Sequence, residues 1–252
     1  MTTHSQWETF SEAIRFFTRL PGPMAPSGNA DALAGAMRYF STVGLIVGVI
    51  AAFAFGITLF FWPKTLAVLT AMIVAVLVTG AMHEDGWSDM ADGFGGACER
   101  EKTLDVMRDS RVGNFGAIAL VLLLAARFFT LIEIDLVIVA LVAGHAVSRL
   151  CATGVFHLLD YARPDGKAAP FTDKLGKSDL VFATVMTLPP VLLLLLFSPL
   201  QSILALLFAA GATFWLYRLF KRRIGGYTGD CLGAVQQLAE VAFYGGLLCR
   251  FS

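Results

Sequence analysis

The 252-residue chain is short of charge and has none in excess: Asp, Glu, Lys and Arg make up 15% of it, with 19 basic against 19 acidic residues. A soluble globular domain has roughly a quarter charged residues, so too little polar surface is present to cover a water-facing globule. The zero balance removes the basic footprint of a nucleic-acid binder, and no nucleic-acid partner is expected. A secretory leader is also missing, since residues 1–30 hold acidic and basic side chains and no apolar run. Four cysteines, Cys98, Cys151, Cys231 and Cys249, stand apart with no C-x-x-C pair and no His nearby. That spacing argues against a structural zinc site and leaves reduced thiols that fill apolar space. Internal repeats and low-complexity tracts are absent, so residues 1–252 are read as one domain.

What the chain has is apolar length. Hydrophobic residues make up 57%, with a mean hydropathy of +0.71. Windows of about 19 residues pick out seven segments, at 37–62, 65–82, 114–132, 136–157, 180–197, 201–220 and 228–249. The expected fold is all-α, a polytopic membrane helix bundle of about seven transmembrane helices. Lys and Arg gather from the N-terminal arm to the start of the first segment (Arg15, Arg19, Arg38) and after the second (Arg100, Lys102, Arg108, Arg111). They gather again after the fourth (Arg163, Lys167, Lys174, Lys177) and around the end of the sixth (Arg218, Lys221, Arg222, Arg223). With seven crossings all four groups fall on one side, which the positive-inside rule makes cytoplasmic. The N-terminus is then inside and the C-terminus outside. Residues 5–20 alternate Trp7, Phe10, Ile14 and Phe17 with Glu8, Glu12, Arg15 and Arg19 at helical spacing, which predicts an amphipathic helix on the membrane face. It belongs to a cytoplasmic arm and loop over residues 1–30. Pro189-Pro190 is expected to kink the fifth segment. Gly44 and Gly48 form a GxxxG that permits close helix packing.

Chemistry concentrates in residues 83–113, read as a cytoplasmic catalytic loop. Asp85, Asp89 and Asp92 are spaced i, i+4, i+7 and share one face of a helix. Three crowded carboxylates repel, and a hard divalent cation relieves the repulsion; oxygen donors suit Mg²⁺. Mg²⁺ uses one or two protein carboxylates and shares its other positions with water and phosphate, so a phosphate-bearing substrate is expected. Glu84 and His83 flank the trio, Glu84 as a further candidate ligand and His83 as base, ligand or interfacial polar residue. Downstream, Arg108, Asp109, Ser110, Arg111 and Asn114 precede an apolar segment, and a helix N-terminus preceded by Ser, Gly and Arg suits an anion. His145 and Arg149 share a helix face inside the fourth segment, where charge marks function by default. Arg163 and Asp230 lie at segment edges and are candidate substrate contacts. Glu240 and Arg127 lie at similar depth and are expected to pair.

The stretches HEDGWSDMADGFGG (83–96), MRDSRVGNFGAIAL (107–120), HAVSR (145–149) with YARPDGK (161–167), and GGYTGDCLGA (225–234), together with FFTRLPGP (16–23), resemble the cobalamin synthases, the adenosylcobinamide-GDP ribazoletransferases. The resemblance covers nearly the whole chain, and DGxxDxxDGFxGG combined with DSRVGxFG is specific. It implies an enzyme of the bacterial inner membrane that uses Mg²⁺. Its substrates would be adenosylcobinamide-GDP and α-ribazole or α-ribazole 5′-phosphate, and its products adenosylcobalamin or its phosphate, and GMP. Arg108 stands where Lys is expected in many relatives, which keeps the charge and changes the bidentate geometry. CDP-alcohol phosphotransferases place Ala-Arg after DGxx, and here Asp85-Gly86 leads to Trp87-Ser88-Asp89. Aromatic prenyltransferases need a second aspartate cluster, which the chain lacks. A transporter would place its polar residues near the midplane, whereas most here lie at segment edges. A homo-oligomer is compatible with the sequence.

Overall fold

The computed structural model describes residues 6–24, 35–163 and 175–250. Lys167, Lys174 and the 164–167 part of the YARPDGK stretch lie outside them. The helices in chain order are α1 (Gln6–Phe17), α2 (Phe40–Phe61) preceded by a 3₁₀ turn (Gly35–Tyr39), α3 (Lys64–Thr79), α4 (Met82–Gly96), α5 (Arg100–Val106), α6 (Asn114–Glu133), α7 (Val137–Leu158), α8 (Lys177–Phe197), α9 (Pro199–Arg223) and α10 (Gly229–Leu247). No strand occurs among the described residues; Tyr161 and Tyr227 form an isolated bridge. The all-α polytopic membrane architecture is as the composition requires.

Five helices are long and apolar enough to cross a bilayer: α2 with its 3₁₀ turn, α6, α7, α8 and α9. Their outward faces carry exposed Phe53, Ile57, Val121, Leu122, Leu192, Leu196 and Leu207, a surface that only lipid or another apolar partner covers well. Two of the seven expected segments do not pass that test on their own. Helix α3 has 16 residues and meets the criterion only jointly with α4, from which it is bent by 86°. Helix α10 does not meet it, because Gln236, Gln237 and Glu240 lie within it, buried at 1–2% exposure. This helix packs against α4, α6, α7 and α9, and a helix surrounded by protein does not need a lipid-type composition. It still runs the length of the bundle, for Leu247–Cys249 line the same cavity as the α6–α7 junction Glu133–Leu136.

The bend between α3 and α4 has a backbone cause. Gly80 (φ 68°) and Ala81 (φ 60°) are both left-handed. The Gly80 amide donates to Leu77 O, and the Ala81 amide to Val76 O at 3.0 Å, which is a Schellman ending. An alanine in that region costs about 1 kcal/mol, offset here by what the bend positions. Across α8, by contrast, the helix continues through Pro189 and Pro190.

The amphipathic N-terminal segment is α1, with Ala13, Ile14 and Phe17 buried and Trp7 and Phe16 exposed. Phe10 packs on Tyr39 and Phe17 on Phe40, and the Arg19 amide donates to Val78 O. This ties α1 to the same end of the bundle as the α3–α4 bend. Side chains from the basic groups stitch the loops at that end together: Arg100 donates to Ile224 O and Ala162 O, and Arg223 to Ala97 O. The GxxxG works as read, since a Cβ at Gly48 would lie 2.7 Å from Val142 Cα and one at Gly44 would collide with His145 O. It brings α2 onto the His145 turn of α7.

Candidate functional site at the basic end

The segment read as a loop is largely helical, as α4 and α5. Asp85 and Asp89, one turn apart on α4, are exposed and half-buried respectively. Gly86 lets the backbone of α10 approach: a Cβ there would meet Asp230 Cα and Asp230 O at 3.0 Å. Asp230, at the start of α10, thereby joins the two α4 aspartates. Partial burial, then the charges of Asp85 and Asp230, push the Asp89 carboxyl up to about 7. Arg163 lies beside the cluster, its Nη2 3.4 Å from Asp230 Oδ2 and 3.4 Å from Leu104 O. Thr228 Oγ1 donates to Asp230 Oδ2 at 3.2 Å while its oxygen caps α10 by accepting from the Cys231 amide.

Asp92, expected with the other two, has a different task. Its carboxylate accepts the Gly113 amide at 2.7 Å and the Gly116 amide at 2.8 Å, so it caps the N-terminus of α6. The anion site expected there is filled by the protein's own carboxylate. The glycines of the RVGNFG stretch are explained by the same contact, because a Cβ at Gly113 or Gly116 would overlap the Asp92 carboxylate. Asp109 accepts from both Nε and Nη2 of Arg111, with Nη2 at 2.6 Å from Oδ2, and this pair holds the Asp109 carboxyl down at about 2. Arg108, Ser110, Arg111 and Asn114 are exposed around it.

Glu84, expected as a metal ligand, faces the other way from Asp85. Its Oε1 accepts from Gln237 Nε2 at 2.8 Å and lies 3.5 Å from Arg127 Nη1. Arg127 Nε lies 3.5 Å from Glu240 Oε1, as the depth argument predicted. Glu240 Oε2 lies 3.0 Å from His145 Nδ1 and accepts from Gln236 at 2.6 Å. Arg149 donates to His145 O at 3.0 Å, and its guanidinium sits over the Phe40 ring. His145 and Arg149 are 4% and 1% exposed, so this arrangement gives them no access to substrate and corrects that expectation. They belong to a sealed ion-pair network between α4, α6, α7 and α10. Sequence reasoning missed Gln236, Gln237 and Tyr244, which complete it; their spacing of three or four residues from Glu240 on α10 was the available signal.

His83 lies between these regions. It is 2% exposed, stacks on Phe40 at 5.7 Å, and its Nε2 has no hydrogen-bond partner. It lines a cavity of ≈ 250 Å³ with Phe17, Phe40, Phe156, Tyr161 and Tyr227, and with Asp85 and Asp230. Of the three readings left open for it, base, ligand or interfacial polar residue, the structure shows only that His83 is a buried part of this wall.

Among the described residues, no three His, Cys, Asp or Glu side chains are already gathered at metal-binding distance. Asp85, Asp89 and Asp230, the last already bonded to Thr228 and Arg163 through Oδ2, are hard oxygen donors. They fit an ion that takes one or two protein ligands and completes its shell with water and phosphate, and they do not fit a closed all-protein cage.

Fold and site together define a class: a multi-pass helical membrane protein with an acidic cluster at one end of the bundle and basic loops around it. The description cobalamin-5-phosphate synthase matches residues 9–248. A protein of Shewanella amazonensis named adenosylcobinamide-GDP ribazoletransferase is 42% identical, covering 100% of this chain and 98% of its own length. One of the same name from Shewanella baltica is 39% identical over 97% of this chain and 95% of its own. No solved structure matches. The chain belongs to the cobalamin-5-phosphate synthase family, and it is a transferase of cobalamin synthesis.

Proposed function

We propose that the chain joins adenosylcobinamide-GDP to α-ribazole or α-ribazole 5′-phosphate, giving adenosylcobalamin or its 5′-phosphate and GMP, with Mg²⁺ at the acidic cluster. The convergence of Asp230 on Asp85 and Asp89 beside Arg163 carries this reading. It supplies what phosphoryl transfer needs, which is positioning and charge neutralisation. Mg²⁺, when bound, neutralises diphosphate oxygens and acidifies a coordinated hydroxyl.

The residues then have distinct tasks. Asp89 and Asp230 would hold the cation, and Asp85, exposed at the cavity rim, takes the proton of the attacking ribose hydroxyl. That oxygen bonds to the phosphorus attached to cobinamide while the bond to the departing GMP oxygen breaks. Arg163 steadies the non-bridging oxygens, and Arg108 and Arg111 receive the diphosphate at the mouth. The protein lies in the bacterial inner membrane with this end in the cytoplasm, the reading the positive-inside rule supports.

The test incubates purified protein in lipid nanodiscs with both substrates and Mg²⁺, with and without EDTA, and follows corrinoids and GMP by chromatography. EDTA-sensitive formation of the cobalamin product with an equal amount of GMP is expected. No product from folded protein would overturn the reading.

A further inference from the structure

The cavity beside the acidic cluster is a built site that the metal and phosphate chemistry leave unused. Its walls are aromatic: Phe17 packs on Phe40 at 4.2 Å, Phe156 on Tyr227 at 5.4 Å, and His83 stacks on Phe40. Its rim carries Asp85 and Asp230, so it opens onto the carboxylates. His83, in its wall, has a buried ring nitrogen, Nε2, with no partner. A buried polar atom without a partner is costly, and the residue that carries it borders space that a ligand can enter.

The chemistry of the lining selects the occupant. A lipid acyl chain would fill the volume, leave Nε2 unmet and bring nothing to the carboxylates. A flat nitrogen heterocycle stacks on the aromatic walls and meets Nε2 with a ring nitrogen. When N-glycosylated, it also delivers sugar hydroxyls to the acidic rim. Ribazole is an N-glycosylated benzimidazole that keeps one ring nitrogen with a free lone pair. We infer that this cavity is the subsite for the aromatic base of the nucleoside acceptor, and that His83 Nε2 donates to the base's free ring nitrogen. The inference rests on the function proposed above and names the half of the reaction this space serves. His83 is then a binding residue, and base recognition needs no metal.

The experiment separates the two claims. Binding of α-ribazole to the nanodisc protein is followed by its benzimidazole fluorescence without Mg²⁺ or corrinoid, with free 5,6-dimethylbenzimidazole and ribose 5-phosphate as competitors. Turnover is measured in parallel. The variants are His83→Ala and Gly229→Leu; Gly229 lines the cavity, and a Cβ there meets nothing within 4 Å, so a larger side chain is chosen there to narrow the space. Expected are competition by the free base and not by ribose 5-phosphate, about tenfold weaker binding in His83→Ala, and a raised KM for the ribazole substrate. The KM for adenosylcobinamide-GDP stays within twofold in both variants. Wild-type turnover with ribazole binding unchanged in both variants would overturn the subsite and leave the function standing, as would a shift confined to the corrinoid KM. No turnover by folded wild type would overturn the function and this inference with it.

Discussion

Glu84 and Asp85 are neighbours in sequence and stand in opposite environments. Glu84 turns into the bundle, where Arg127, Arg149, Glu84 and Glu240 make two cations and two anions, linked by Gln236, Gln237 and His145. Asp85 turns outward to Asp89 and Asp230, where three carboxylates face Arg163 alone as a close ion-pair partner among the described residues. The first region is balanced and sealed, and a buried charge persists in a membrane protein only on those terms. The second is unbalanced and open, so it holds attraction in reserve for a cation. Residue type does not separate the two roles; the face of α4 does.

The largest expected effect comes from removing a carboxylate from the open region. Asp89→Asn removes a proposed ligand of a cation whose contribution to the transition state is several kcal/mol, so turnover is expected to fall on the order of 10³-fold while the protein stays folded in the membrane. Product chromatography checks the first part and size-exclusion elution the second; near-normal turnover would remove Asp89 from the site. Next is Glu240→Ala, which strands Arg127 and Arg149 inside the bundle. Removing one member of a buried pair costs about 3–5 kcal/mol, visible as lost expression and a lower Tm, and adding Arg127→Gln should recover part of it. If Glu240→Ala matched wild type in Tm, the network would not be structural.

Asp92 sharpens the comparison, since it was grouped by sequence with the open carboxylates. Asp92→Asn weakens two charge-assisted bonds to the α6 amides, for about 1–3 kcal/mol of stability, and leaves divalent-cation affinity near wild type. A Tm shift with unchanged Mn²⁺ binding is the expected pair of results. The smallest effect is the pH dependence of cation binding. Asp89 without metal is raised to about 7, so it is protonated below that pH. Its contribution to stability is then full at low pH and lost as pH rises through about 7. Cation affinity runs the other way, increasing from about pH 6 to pH 8 with proton release near neutrality. A flat pH profile in calorimetry would contradict this.

Much of this was legible in the sequence. Low charge and long apolar runs required a helical membrane bundle, and the i, i+4 spacing placed Asp85 and Asp89 on one face. Arg127 and Glu240 were paired from depth alone. The errors have physical origins. Asp92 is one more helical step along, and spacing does not reveal that Gly113 and Gly116 bring two amides to it. The i, i+4 pair His145 and Arg149 was read correctly as a shared face, but only the Gly44–Gly48 contact shows that face to be closed. Helix α10 was the least apolar segment because it lies at the centre, where packing replaces lipid. The contribution of Asp230 to the cluster depends on Gly86, a contact between residues 144 positions apart.

The most direct test of the contrast is a Mn²⁺ titration of the purified protein followed by electron paramagnetic resonance, comparing wild type with Asp89→Asn, Asp92→Asn and Glu84→Gln. The account predicts that Asp89→Asn alone weakens binding, by about tenfold or more, while the other two bind as wild type does. Lost binding in folded Glu84→Gln or Asp92→Asn with Asp89→Asn unaffected would place the cation on the wrong face of α4 and contradict it.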